Sequence, residues 1–410
     1  MRVAAIISLI FFSLASVFAG GFQLNAQGTK QLSMGHTGTA LFTDASSVFF
    51  NPGAFSLDTS FISFNAGSTL IFPSVQYLDA YPGNYSTYSK MNKGTPVQAY
   101  LTFKPMRKFP VSFGMGIYTP FGSRLQWEDN WKGQFIVREI SLKTIFYQPT
   151  VSVRVTDWLG IGLGYCMAKG SFYLRKGVPL QNKNGEYGQA TLTGDAEGNG
   201  WNAGMYVKAN DQLSFGFTFR STVNAKINNG TASFTVPDYT KGFFPDSSFT
   251  TSLSLPQIIS FGVSYAINEK LRIAADINYA EWSSYDSLKI DFAKNTDKLK
   301  DVASPKNYKN SYTYRLGAQY KMNNWLSLQL GGYYDATPVP NNYVGPESPD
   351  ANKFGLTCGA SFTVGKNFGA DISFLYVETI KRNGYSEENQ FEGNYKTKVV
   401  APGISLSYRF

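Results

Sequence analysis

The single histidine, His36, and the two cysteines, Cys166 and Cys358, are the residues from which hydrolytic, metal or redox chemistry would have to be built. A hydroxyl nucleophile needs a base beside it, most often a histidine. His36 has no obvious catalytic partner, and a hydrogen-bonding role is expected for it. The cysteines fall inside strand-like runs with seven such runs between them, so they read as free packing residues and not as a disulfide. With no cluster of His and Cys, no metal and no cofactor are expected. Gly160-x-Gly162-x-Gly164 lies in a strand with no helix after it, which makes it inward-facing wall and not a nucleotide loop. An enzyme is therefore not expected. What is left is binding chemistry. Arg220 and Arg315 could hold a carboxylate through a charge-assisted pair. The stretch 228–250 presents Phe234, Val236, Tyr239, Phe243, Phe244 and Phe249, which is apolar for a loop.

The elements that carry these residues are strands. Tyr312, Tyr314, Leu316, Ala318 and Tyr320 are apolar on one parity, and Thr313, Arg315, Gly317, Gln319 and Lys321 occupy the other. A period of two puts the two sets on opposite faces. The same split recurs at Leu213–Arg220 and Ile259–Tyr265, and past residue 60 about fourteen such runs follow one another. Links between them are alternately short and long. The short ones lie near Lys104–Lys108, Thr156–Asp157, Ala209–Asp211, Asn268–Lys270, Met322–Asn324 and Gly365–Asn367. The long ones lie near 73–94, 120–140, 176–190, 228–250, 283–307, 337–352 and 380–396. Short turns on one side and long loops on the other describe a transmembrane antiparallel β-barrel of about 14 strands, all-β, over residues 58–410. An even count leaves both ends on the short-turn, periplasmic side. Inward parity places Arg154, Arg220, Arg272, Arg315, Asp276 and Asp371 in the lumen, because an arginine facing lipid near the midplane would cost about 2–4 kcal/mol.

Composition agrees. Aromatic residues make up 16% of the chain, with 26 Tyr and 33 Phe, while the mean hydropathy is only −0.19. Aromatic girdles and an apolar outer band around a polar lumen reconcile those values; a secreted β-sandwich is the alternative. Residues 1–19, with Arg2 before an apolar run that ends in Val17-Phe18-Ala19, fit a secretory signal peptide. No later apolar stretch is long enough for a membrane helix. The net charge of +9 is spread out without a basic, aromatic-interleaved cluster, so no nucleic acid partner is expected. Outer-membrane lipid and lipopolysaccharide are expected around the barrel, and a monomer is expected. The last strand ends Ile404-Ser405-Leu406-Ser407-Tyr408-Arg409-Phe410, and its terminal aromatic resembles the assembly signal of Gram-negative outer-membrane barrels.

Residues 20–57 behave differently, with scattered Gly and Ala and no sustained alternation. They precede the first strand and are short enough to fold into the lumen as a plug. Gly21-Phe22-Gln23-Leu24-Asn25, Ser33-Met34-Gly35, Asp44-Ala45-Ser46-Ser47 and Asn51-Pro52-Gly53 resemble the N-terminal hatch of the FadL/TodX family of outer-membrane transporters for long-chain fatty acids and aromatic hydrocarbons. That family usually has Ala where this chain has Gly53. Leu255-Pro256, Ala280-Glu281-Trp282-Ser283, Tyr314-Arg315-Leu316-Gly317, Asn324-Trp325 and Tyr333 through Pro340 match in order and spacing.

The resemblance implies passive uptake of a hydrophobic small molecule. A groove between long loops captures it, the hatch (Gly21, Phe22, Asn51, Pro52, Gly53) moves, and the ligand leaves sideways through the wall. The aromatic loop at 228–250 occupies the place of the groove; alternatively its aromatics pack it against its neighbours. The lateral opening is expected at a kink in the third strand, Val111–Tyr118, marked by Gly114, Gly116 and Pro120; the other reading of the glycines is clearance for the hatch. Arg220 and Arg315 either meet a fatty acid carboxylate or bind hatch carbonyls and lumen acids such as Asp44. Long-chain fatty acids are the leading ligand class. Aromatic hydrocarbons, an open porin and an adhesin are the alternatives.

Overall fold

The computed structural model describes residues 21–105 and 110–410. The expected signal peptide, 1–19, and part of the short link at 104–108 lie outside the described residues. The wall is built by fourteen antiparallel strands. In chain order they are Ile62–Thr69, Val97–Phe103, Val111–Tyr118, Glu139–Arg154, Leu159–Gln181, Tyr187–Lys208 and Leu213–Arg220. Then come Ile258–Ala266, Leu271–Ala280, Ser311–Lys321, Leu326–Asp335, Lys353–Val364, Phe368–Thr379 and Phe391–Arg409. Each pairs with the next, and the last returns to the first through Ser63↔Arg409 to Thr69↔Gly403, which closes the barrel.

Parity behaves as the alternation requires. In the tenth strand Tyr312, Tyr314, Leu316 and Tyr320 are exposed while Ser311, Thr313 and Arg315 are buried. Ile404, Leu406 and Phe410 face outward in the last strand, with Ser405 buried. Cys166 is buried inside and Cys358 is exposed outside, both free.

The strands run farther than the sequence suggests. The fifth and sixth extend to 23 and 22 residues, so the expected loop at 176–190 is mostly a ribbon turning between Gln181 and Tyr187. A free ribbon that long would fray. Here its inner face, with Leu192 and Ala196, packs on Ala225, Ile227 and Ala232 of a second hairpin, Val223–Thr235 and Ser247–Leu255.

The segment from Gly21 to Asp58 lies inside the barrel and is buried along most of its length. It contains two short helices, α1 Thr29–Ser33 and α2 Ser47–Phe50, and a 3-10 turn, Ala54–Leu57. Wall side chains satisfy its backbone. Gly38 and Thr39 donate N–H to Asp276 Oδ2 at 2.8 and 3.0 Å, Gln148 Nε2 donates to Val48 O at 2.7 Å, and Lys104 Nζ donates to the carbonyls of Ser56 and Asp58 at 3.1 and 2.9 Å. Lys30 pairs with Asp371 at 3.6 Å. Irregular backbone at membrane depth is tolerated because protein, not lipid, surrounds it.

Candidate functional site

The seam between the second and third strands parts before the top of the wall, and two prolines mark it. The second and third strands pair from Phe103↔Phe113 up to Gln98↔Tyr118, and there the ladder stops. Pro96 lies just before the second strand and Pro120 just after the third; neither has an N–H to donate. Beyond this point the two chains part. Ile71 bridges Gly94 on the first-strand side, while Gly122–Gln126 rejoins the fourth strand at Gly122↔Lys143. That register is one residue out of step with Tyr118↔Phe146 below it. Above it the two lips are tied by Lys90 N–H to Gln126 O, 2.7 Å, and Asn92 Nδ2 to Gln126 Oε1, 3.3 Å, and by the ion pairs Lys90–Glu128 at 3.1 Å and Lys132–Asp79 at 2.7 Å. The result is a window in the wall.

A cavity of about 680 Å³ lies behind it. Its outer rim is Asn92–Val97 on one lip and Thr119 with Gly122–Leu125 on the other. Leu375, Val377, Val399 and Ala401 form the far wall, and Glu347–Asp350 reach in from the extracellular side. The inner segment supplies its floor, Gly21–Ala26.

That floor also seals the window. Leu24 donates N–H to Pro120 O at 2.9 Å, Gly122 donates N–H to Phe22 O at 3.0 Å, and Gln23 bridges Phe121 in antiparallel register. Gln27 Nε2 donates to Thr119 O at 2.5 Å. Phe22–Leu24 thus acts as a short added strand on the edge the wall leaves unpaired. Its anchor is the Phe22 ring, edge-on to Trp282 at 5.8 Å and Tyr285 at 5.9 Å. Gly21 has φ +57, and a Cβ there would strike the Trp282 ring.

Gly114 and Gly116 are not at a kink. The third strand pairs without a register break from Val111↔Val153 to Tyr118↔Phe146. Both glycines face inward, where a Cβ on Gly114 would come within 2.7 Å of Val48 and one on Gly116 within 3.2 Å. Their small size clears space for α2, and the interruption comes four residues later, beside Pro120.

Asn51-Pro52-Gly53 clamps the other side of the inner segment. Asn51 Nδ2 donates to Thr39 O at 2.7 Å and Met205 O at 2.9 Å, and its Oδ1 accepts from Gly53 N–H at 3.0 Å. The motif rests on the Gly160-x-Gly162-x-Gly164 run: Cβ atoms on Gly160 and Gly162 would collide with the Gly53 and Pro52 carbonyls. A Cβ on Gly53 would lie 2.6 Å from Gly160 O and 2.8 Å from Gly204 O, so this wall leaves no room for alanine there.

Arg220 and Arg315 both bind the inner segment. Arg220 donates to Phe49 O at 3.3 Å and Tyr118 OH at 2.7 Å, with its guanidinium 4.9 Å above the Phe49 ring. Arg315 donates to His36 O at 3.2 Å and Asn25 Oδ1 at 2.7 Å. The other two lumen arginines do not reach the inner segment: Arg154 faces Asp157 at 3.7 Å and Arg272 donates to Ser264 Oγ at 3.1 Å.

The loop aromatics divide. Phe249 is 1% exposed and packs with Phe292 and Ile290, while Phe234 and Phe244 pack near Val236. Tyr239 and Phe243 are 74% and 46% exposed. None of the five borders the cavity.

Sequence reasoning passed over the aromatic cap above the lumen. Trp127 and Trp131 stack at 4.5 Å, and Trp131 meets Tyr77 and Phe391 edge-on. Burial, then the hydrogen bond to Asp79, pushes the Tyr77 hydroxyl well above its usual range, so it stays protonated, its one O–H shared between Asp79 Oδ1 and Glu392 O, each at 2.9 Å. Two tryptophans four residues apart in a nominally polar loop were the available signal.

The family model described as outer membrane protein transport protein (OMPP1/FadL/TodX) matches residues 11–410. A long-chain fatty acid transport protein of Escherichia coli O6:H1 is 25% identical, over 96% of this chain and 95% of that protein. Among solved structures, a Pseudomonas aeruginosa FadL homologue superposes with TM-score 0.82 at 19% identity, covering 95% of this chain and 100% of the other. The Pseudomonas putida toluene transporter TodX gives 0.71 at 17% identity, covering 96% and 99%. The matches fit the closed fourteen-stranded wall and its filled lumen: this chain belongs to the FadL/TodX family, a Gram-negative outer-membrane transport channel for hydrophobic compounds and not an enzyme.

Proposed function

We propose that the protein takes up long-chain fatty acids passively, through the 680 Å³ cavity and out of the window between the second and third strands. The observation that carries this reading is the coincidence of three features: a cavity of small-molecule size, a break in the ladder at its rim, and a separate short strand, Phe22–Leu24, laid across the break. Tyr239 and Phe243, exposed on the extracellular loop, are the residues offered for first capture. A ligand then passes beneath the aromatic cap into the cavity. Release of Phe22–Leu24 frees the window, and the acyl chain moves sideways into hydrocarbon, where each buried methylene gains about 0.8 kcal/mol. Lateral exit spares it a return to water. In this scheme Gly21, Phe22, Asn51, Pro52 and Gly53 set how readily the inner segment moves, and Pro120 marks the exit.

An acid is preferred over a hydrocarbon because Lys93 and Lys143 border the cavity without an ion-pair partner among the described residues. Uptake of labelled oleate by cells lacking their own transporter tests the proposal. Uptake with the wild type that falls with Asn51→Ala at equal membrane levels is the expected result. Uptake of toluene but not oleate would move the substrate to aromatic hydrocarbons. Uptake of neither, with intact cell adhesion, would favour the adhesin reading.

A further inference from the structure

Across the inner segment from the large cavity, against the sixth to tenth strands, lies a smaller void of about 40 Å³. Arg220, Arg315 and His36 border it, together with Asn202 and Asn278, and Gln23 borders both spaces. The two arginines are 9% and 6% exposed, and every acceptor they reach is neutral: Tyr118 OH, Cys166 Sγ and Phe49 O for one, His36 O and Asn25 Oδ1 for the other. Among the described residues neither guanidinium has a carboxylate in an ion pair with it. Asp276 stands opposite Arg315 in the ladder; its Oδ2 accepts from Gly38 N–H, Thr39 N–H and Thr39 Oγ–H, and its Oδ1 has no hydrogen-bond partner.

Asp276 offsets at most one of the two guanidiniums, and Asp335, the other acid near Arg315, is paired with Lys353 at 3.5 Å, so one positive charge stays uncompensated in a low-dielectric interior. The polar atoms around the void are likewise unspent. Arg315 Nε, both ring nitrogens of His36, and the Oδ1 atoms of Asn202 and Asn278 have no hydrogen-bond partner. Buried polar groups are seldom left so. A water needs roughly 10–15 Å³ of such volume, so the void has room for about three water-sized groups. That is the size of a carboxylate, or of a halide with one or two waters.

We propose that this void binds a small monovalent anion. Arg315 Nε–H and one His36 ring N–H donate to it, the Arg220 guanidinium faces it, and the two asparagine oxygens accept from its accompanying water. The site neutralises the lumen and ties Phe49 and His36 of the inner segment to the wall through one shared charge. The anion is either free halide or the carboxylate head of a transported acid that reaches the void past Gln23.

The test is bromide soaked into crystals of the purified full-length protein, with melting temperature measured in chloride against gluconate. An anomalous peak between Arg220 and Arg315, and a higher melting temperature in chloride, are expected. Asn202→Asp places a carboxylate in the void and should abolish both. If octanoate displaces bromide and octanol does not, the acid's head shares the site; if bromide persists with both, the free anion is its occupant. No bromide peak, no chloride dependence and no octanoate carboxylate at the site would overturn the proposal, and wild-type protein alone suffices if the variant fails to fold. None of these readouts involves uptake, so a failed transport assay leaves them intact.

Discussion

Two parts of the same wall solve one problem in different ways. From the ninth to the tenth strand the ladder runs unbroken over Leu271↔Tyr320 to Ala280↔Ser311, and the backbone seals itself. Between the second and third strands it stops at Gln98↔Tyr118, and the edge beyond is satisfied by Leu24 N–H to Pro120 O and Gly122 N–H to Phe22 O. A β-barrel in lipid cannot leave backbone groups unpaired. The wall can be opened only where its partner is a separate piece of chain, because releasing Phe22–Leu24 costs a few hydrogen bonds and one aromatic anchor, while parting two wall strands costs a whole ladder.

The largest contrast is expected from a charge on the outer face. Ile277→Arg in the ninth strand should destabilise the folded barrel by about 2–4 kcal/mol if it lies near the midplane, read from denaturant refolding into bilayers. Thr95→Arg on the window lip should cost well under half as much, because it borders the cavity. Equal losses at the two sites would remove the distinction between wall and window.

Next is the seat of the inner segment. Gly53→Ala should cost about 1–3 kcal/mol through overpacking against the Gly160 and Gly204 carbonyls. A neutral result would show that the wall yields there. Phe22→Ala is expected to loosen the gate with a smaller effect on the barrel, giving faster proteolysis near the N-terminus and more small-solute leak while heat resistance of the barrel holds. The smallest effect on folding belongs to Tyr239→Ser with Phe243→Ser, within about 0.5 kcal/mol as for exposed sites generally. The pair should lower uptake at limiting ligand and leave it unchanged at saturation.

Alternation across Tyr312–Lys321 reveals a barrel because lipid on one face and polar contacts on the other select residues at every second position. Membrane thickness, however, does not limit the fifth and sixth strands. Their extension to Gln181 and Tyr187 depends on a separate hairpin around Ile227, which local pattern cannot supply. Gly114 and Gly116 carried the right clue to the wrong feature: a glycine marks either a bend or a close approach, and only the position of Val48 decides. Pro120 was readable as a strand end, but the window needs Pro96 as well, and their juxtaposition follows from register. Arg220 and Arg315 were legible as lumen residues. Their engagement with Phe49 and His36 carbonyls was not settled by sequence, since any polar partner inside would satisfy parity.

The most direct test locks the separate short strand to the wall. Gln23→Cys with Phe121→Cys, in a background with Cys166 and Cys358 replaced by alanine, joins the residues that face each other across the inner bridge. The account predicts that oxidation stops oleate uptake and that reduction restores it, with barrel folding unchanged. Undiminished uptake by fully crosslinked protein would contradict it, because the ligand would then have another way out.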